Sequence, residues 1–188
     1  MEKSKNLAVL VLAAGTSSRL GKPKQLVLYE GKTLLWHTCS KALKLSRNVF
    51  VVLGAKQEEC KETLKGLDLN IIYNKDYKEG LSSSIKAGIK KLQSYGKILI
   101  VLCDQPFMPL SHLEKLIKES QDEESDDKII CSFYNSNVAV PAIFPKIVYE
   151  QLLGLRGDKG AKAVIKSNQH KYIILEDKLS FDVDTKDD

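Results

Sequence analysis

Apolar runs of strand length alternate along this chain with segments whose apolar residues recur at helical spacing, and that alternation restricts the fold most. Leu7–Leu12, Val49–Leu53, Leu69–Tyr73 and Lys97–Leu102 read as strands. Between them, Leu35, Cys39 and Ala42 fall at i, i+4 and i+7, so Leu34–Leu45 reads as a helix. Gln57–Leu64 reads as a short helix. Ile85, Ile89 and Leu92 place another over Ser82–Leu92. Strands that are apolar throughout and joined by helices predict an α/β fold with a mostly parallel sheet covered on both sides. Ser111 to Glu114 has the form of a capping box, with Leu113, Leu116 and Ile117 as the buried face of the helix that follows. Glu119–Lys128 reads as a solvated acidic loop. Ile129–Phe133 and Val138–Phe144 read as further strands, the second carrying Pro141, which suits an edge or a bulge. Helices around Val148–Leu155 and Ala161–Ile165 and a late strand at Tyr172–Leu175 complete the pattern, which contains no internal repeat.

A length of 188 residues suits one domain, 1–188, around one sizeable core. No apolar run approaches the ~20 residues that span a bilayer, so no membrane association is expected. Leu7–Ala14 runs into Gly15 and a polar loop, as a buried strand does and a signal peptide does not. The expected location is the cytoplasm. Cys39, Cys60, Cys103 and Cys131 are widely spaced, with no Cys-x-x-Cys pair, which points to reduced structural thiols. The net charge of +5 is spread along the chain without a dense basic tract. That favours small anionic ligands over nucleic acid.

The first strand ends in Leu12-Ala13-Ala14-Gly15-Thr16-Ser17-Ser18-Arg19-Leu20-Gly21-Lys22-Pro23-Lys24-Gln25. Small residues let backbone amides approach an anion. Arg19, Lys22 and Lys24 add positive charge. In parallel α/β sheets, ligands bind outside the carboxyl ends of the strands, where this loop must lie. Common phosphate and catalytic motifs do not fit. Gly15 and Gly21 enclose five residues and Pro23 follows Lys22, unlike G-x-x-x-x-G-K-[ST]. G-x-G-x-x-G is absent, which disfavours a nicotinamide oxidoreductase. Gly80-Leu81-Ser82-Ser83-Ser84 lacks the final Gly of G-x-S-x-G. A plain βα turn with solvated basic residues stays open on these grounds.

Asp104 stands just past the most apolar strand, at an end that faces a ligand crevice. Mg²⁺ takes hard oxygen ligands, commonly one or two carboxylates with phosphates and waters. Asp104 can equally form a turn or cap a helix. Asp182 and Asp184, at i and i+2, share one face of an extended segment, or belong to a solvated acidic tail. Ser83 and Ser84 precede a helix and either cap it or bind phosphate there. Asn74 ends a strand, placed for a base or ribose or for a turn. Asp158 and Lys159, between Gly157 and Gly160, form a charged loop or a plain surface turn. His37, His112 and His170 lack ligand spacing and read as structural, as do Trp36 and the tyrosines.

Taken in order, several of these blocks resemble the MobA-like NTP transferases. Leu12-Ala13-Ala14-Gly15, Ser18-Arg19-Leu20-Gly21 and Lys24 are similar to that family's nucleotide-binding signature. Asn74 and Glu79–Ile85 with Ala87-Gly88 look like its second block, and Asp104-Gln105-Pro106 like its metal-binding block. Pro141–Phe144, Gly157–Ala161 and Asp182–Thr185 look like later ones, and together they resemble the molybdenum cofactor cytidylyltransferase branch. The resemblance implies a Rossmann-like three-layer fold of the nucleotide-diphospho-sugar transferase type. It implies Mg²⁺-dependent transfer of CMP from CTP, or another NTP, to a molybdopterin-type acceptor with release of pyrophosphate. The partner implied downstream is a molybdoenzyme or its maturation factor. By the same resemblance, Arg19, Lys24 and Asp104 act in catalysis, and Leu12 to Arg19, Lys24, Asn74, Gly80, Ser83 and Ser84 bind nucleotide. Asp104, Asp182 and Asp184 hold the metal, and Asp158 and Lys159 meet the acceptor. Lys186 stands where the family usually has Pro. Ala14 favours CTP, since the guanylyl branch more often has Gly there. The rival functions are guanylyl transfer to the same cofactor, transfer to a sugar or polyol phosphate, and a non-catalytic nucleotide sensor or cofactor-carrying accessory protein.

Overall fold

The computed structural model describes residues 6–16, 23–105 and 107–180. Its centre is a seven-stranded sheet built from β1 (Leu7–Ala13), β4 (Val49–Leu53), β5 (Asn70–Tyr73), β6 (Lys97–Leu102), β7 (Ile129–Tyr134), β8 (Asn137–Pro145) and β9 (His170–Ile174). The order is β5-β4-β1-β6-β8-β7-β9. β5, β4, β1 and β6 are parallel; β8 runs against both its neighbours; β9 is parallel to β7. The sheet is therefore mostly parallel, as its continuous apolar runs predict.

Side chains of β1 alternate between the two faces, as the period of a strand requires. Leu7, Val9, Val11 and Ala13 pack with α1 (Leu34–Leu45), α2 (Gln57–Thr63) and α4 (Leu110–Ser120). Ala8, Leu10 and Leu12 pack on the other face with α3 (Leu81–Leu92), α5 (Tyr149–Leu153) and α6 (Lys162–Ser167). The result is a three-layer α/β fold. All four cysteines are buried and free, in keeping with structural thiols. Burial pushes the Cys39 and Cys131 thiols up to about 12. Among the described residues no helix is long and apolar enough to cross a membrane.

Several local expectations are corrected. The capping box at Ser111 does not form. The chain before α4 is set by Pro109, whose carbonyl accepts the amides of His112 (3.1 Å) and Leu113 (3.4 Å), so Ser111 is already inside the helix. Proline's fixed φ prepares that start without a side-chain cap. β8 lies between β6 and β7, not at an edge. Of the two settings expected for Pro141 the bulge is the one found: the register slips between Cys131↔Ala142 and Ser132↔Ala139, which frees Pro141 from the ladder. The Glu119–Lys128 segment is less solvated than its composition suggests. Ser120 and Ser125 are buried, Glu119 pairs with Lys171 (2.9 Å), and Asp126 pairs with Lys97 (2.7 Å). A small hairpin, β2 (Leu28–Tyr29) with β3 (Lys32–Thr33), is too short to show periodicity in the sequence. Its two turn residues, Glu30 and Gly31, both have positive φ, as tight hairpin turns demand.

Candidate active site

The parallel strands β4, β1 and β6 bring their carboxyl ends to one edge, and their loops close on each other. The Ala55 amide donates to the Ala14 carbonyl (3.1 Å), and the Cys103 amide to the Leu12 carbonyl (3.3 Å). Above them lies a cavity of about 350 Å³. Its floor is Leu12, Ala13, Ala14, Gly15 and Thr16, and its sides carry Lys24, Asp104, Gly80, Ser84 and Asp158. The sheet thus gathers into one space residues drawn from across the chain. The remainder of the first loop, including Ser17, Ser18 and Arg19, lies outside the described residues, as do Asp182 and Asp184.

A single helical turn, Lys24–Leu26, follows Pro23 and aims successive side chains at different targets. Lys24 Nζ donates to Asp104 Oδ2 at 3.2 Å. Both side chains are largely shielded, with 17% and 22% of their surfaces exposed, so the ion pair is less screened than one on the open surface. Gln25 is buried and its Nε2 donates to the Gly15 carbonyl (3.0 Å), which ties down the start of the loop. Gln25 was not identified from sequence. Its role depends on a contact between residues that no local pattern marks.

Asp104 Oδ1 is buried and has no hydrogen-bond partner among the described residues. A buried carboxylate oxygen with an open lone pair suits a hard divalent cation that completes its shell with phosphate oxygens and water. Among the described residues no group of three His, Cys, Asp or Glu side chains could hold a metal; the carboxylates lining the cavity are Asp104 and Asp158. The neighbouring Cys103 thiol is raised well above its usual range, first by burial and then by the Asp104 charge, which keeps it protonated beside the site.

Other sequence candidates divide between the cavity and its support. Asn74 is buried behind the lining; its Nδ2 donates to Ser83 Oγ (2.8 Å) and Ser84 Oγ (3.0 Å), while its Oδ1 accepts from the Asp76 amide (3.0 Å). Ser83 Oγ donates to the Gly80 carbonyl (2.8 Å). Asn74 and Ser83 therefore brace the turn that carries Gly80 and Ser84, which do line the cavity. α3 begins at Leu81 after Gly80, whose φ of 98° lies where a side chain is strained. The first turn of α3 is already engaged, because the Ser82 amide donates to the Gly157 carbonyl (3.1 Å). Lys159 does not face the cavity. It lines a separate groove with Arg156, Gln151 and Ser167. His112 is buried and bonded to Ser132 (2.8 Å), a structural histidine.

The sequence profile of the MobA-like NTP transferase domain matches residues 9–172. The Bifunctional protein GlmU of Francisella tularensis subsp. novicida (strain U112) is 31% identical over 121 residues, which cover 63% of this chain and 26% of that protein. The chain thus spans about a quarter of the length of the GlmU relatives. The Purine catabolism protein PucB of Bacillus subtilis (strain 168) is 26% identical over 198 residues, covering 98% of this chain and 93% of its own. A crystal structure of the Mycobacterium tuberculosis rv0371c homolog from mycobacterium sp. strain JC1 superposes with a TM-score of 0.80 at 31% identity, covering 97% of this chain and 92% of that one. On the span of the profile match, the chain belongs to the MobA-like NTP transferase family.

Proposed function

We propose that the protein, acting as one nucleotidyltransferase domain, transfers CMP from CTP to the terminal phosphate of a molybdopterin-type acceptor and releases pyrophosphate. The observation that carries this reading is the shielded Lys24–Asp104 pair, set in the same cavity as the Gly15 loop. A cation and a metal-binding carboxylate beside a small-residue loop suit a triphosphate. An acceptor phosphate oxygen attacks the α-phosphorus as the bond to the bridging oxygen breaks, so the chain needs to position and neutralise, with no covalent intermediate. Gly15 and Thr16 present backbone to the phosphates. Lys24, joined by Arg19, neutralises charge on the departing pyrophosphate. Asp104, joined by Asp182 and Asp184, holds Mg²⁺, which when bound offsets negative charge on the phosphate oxygens. Asp158, which lines the cavity, and Lys159, which lines a separate groove, meet the acceptor away from its reacting phosphate. The product passes to a molybdoenzyme or its maturation factor. Ala14 supports CTP over GTP.

The test is to incubate the purified protein with Mg²⁺ and each NTP, with and without molybdopterin, and to assay pyrophosphate. CTP- and molybdopterin-dependent release is expected. Preferred GMP transfer would move the protein to the guanylyl branch, and no release with any NTP and this acceptor would reject the acceptor.

A further inference from the structure

The cavity has two chemically different ends. Lys24 and Asp104 occupy the β6 side. On the β4 side stands Tyr77, in the turn Tyr77–Glu79 between β5 and α3. Tyr77 is half-buried and packs against the apolar cluster that contains Ala14, Val52 and Ile72 while also lining the cavity. Its root is held in place by an absence of side chain opposite. A Cβ on Gly54, just past β4, would lie 2.6 Å from Tyr77 Cβ, 2.8 Å from Tyr77 Cγ and 2.9 Å from the Ala14 carbonyl oxygen. Real Cβ atoms do not approach so closely. Gly54 therefore lets the tyrosine root and the end of β1 come together, and the atoms nearest the backbone cannot swing aside.

Lys78, next to Tyr77 in the same turn, also lines this end, but unlike Lys24 it is exposed and shares the end with a carboxylate, Asp158. The Gly157 carbonyl already accepts the Ser82 amide at the start of α3. The Asp158 carboxylate stands so near Gly80 that a Cβ there would lie 2.5 Å from Asp158 Oδ1. A phosphate placed beside Gly80 would meet the Asp158 carboxylate and an occupied amide, whereas the Lys24 end offers a shielded cation beside the Gly15 loop. The triphosphate belongs at the Lys24 end, which leaves the aromatic end for the rest of the nucleotide. We infer that Tyr77 is the wall against which the nucleobase lies, held in position by the missing side chain of Gly54. The inference rests on the reading that this cavity binds a nucleoside triphosphate.

The experiment is calorimetric titration of wild type, Tyr77→Phe and Tyr77→Leu with CTP and GTP, and separately with inorganic tripolyphosphate, all with Mg²⁺. Stacking on an aromatic face sets the expected effect. Tyr77→Leu should weaken both nucleotides on the order of tenfold and leave tripolyphosphate unchanged, and Tyr77→Phe should bind as wild type. Unchanged nucleotide affinity in Tyr77→Leu, or equal losses for nucleotide and tripolyphosphate, would overturn the assignment. A wild type that binds tripolyphosphate as tightly as the nucleotides overturns the base contact and leaves the triphosphate site standing. One that binds neither overturns the underlying reading as well. Should Tyr77→Leu fail to fold, photo-crosslinking of wild type with 5-iodo-CTP decides the matter. The adduct should map to the peptide holding Tyr77, and an adduct confined to another segment overturns the proposal.

Discussion

Asp104 uses its two oxygens differently. Oδ2 accepts from Lys24, and Oδ1 is buried without a partner among the described residues. Asp104→Asn keeps the shape and an oxygen for Lys24 but removes the charge that suits a metal. Turnover should fall by about two orders of magnitude or more, because charge neutralisation at phosphates is the main catalytic term. The melting temperature should move by only a few degrees, roughly what a 1 kcal/mol change produces at this size. Pyrophosphate release and melting on one preparation check both, and near-normal turnover across a range of Mg²⁺ concentrations would reject the metal role. Lys24→Ala should weaken triphosphate binding by about 1.5–3 kcal/mol, the scale of a hydrogen bond to a charged group, as read by CTP titration. Lys24 and Asp104 were singled out by the ordered blocks of the family resemblance, since position alone left a solvated turn open for Lys24 and a turn or cap open for Asp104. Gln25, Gly54 and Tyr77 were not. Their meaning lies in contacts with Gly15, Ala14 and each other, and their types occur as freely on any surface. Asn74 stood at the right place with a different task, bracing the Gly80 turn from behind.

At the scale of elements, α1, β4 and β6 could be read to the residue, because long apolar periodicity fixes a helix or strand better than its ends fix themselves. The harder features were those where one rule competes with another. Ser111 has the chemistry of a cap, but Pro109 starts α4 first. Pro141 left an edge or a bulge open, and it is the bulge that places it in the interior of the sheet. α4 also carries a titration that the fold suppresses. His112 is 4% exposed, and burial, followed by the nearby Lys115 charge, lowers it from 6.5 to about 4. It is neutral when folded and charges readily when unfolded. Its contribution to stability is therefore full above pH 6.5 and is lost as pH falls towards 4. The loss should reach about 2–3 kcal/mol near pH 4.5. Urea midpoints of wild type and His112→Gln between pH 7.5 and 4.5 check this, and equal slopes for the two proteins would refute it.

The whole molecule should report its ligand through its stability. A nucleotide at 100 times its dissociation constant adds about 2.7 kcal/mol to the folded state. At this chain length that raises the melting temperature by about 5–10 °C. The gain should largely vanish with EDTA if the triphosphate is held through a divalent ion, and thermal scans with and without chelator test it. The sheet also explains how distant parts of the chain come to share the cavity. Because β8 runs against β6, it delivers the chain at Pro145 beside Lys97, at the end of the sheet farthest from the Gly15 loop. The chain must then climb back along α5, packed on α3, before Gly157 and Asp158 reach the cavity. That climb is external to the sheet. Insertions or exchanges in the loop between α5 and α6 can remodel the rim while β1, β4 and β6 keep their register. In such a layout one wall of the cavity is free to vary while its floor, fixed by the strands, stays as it is.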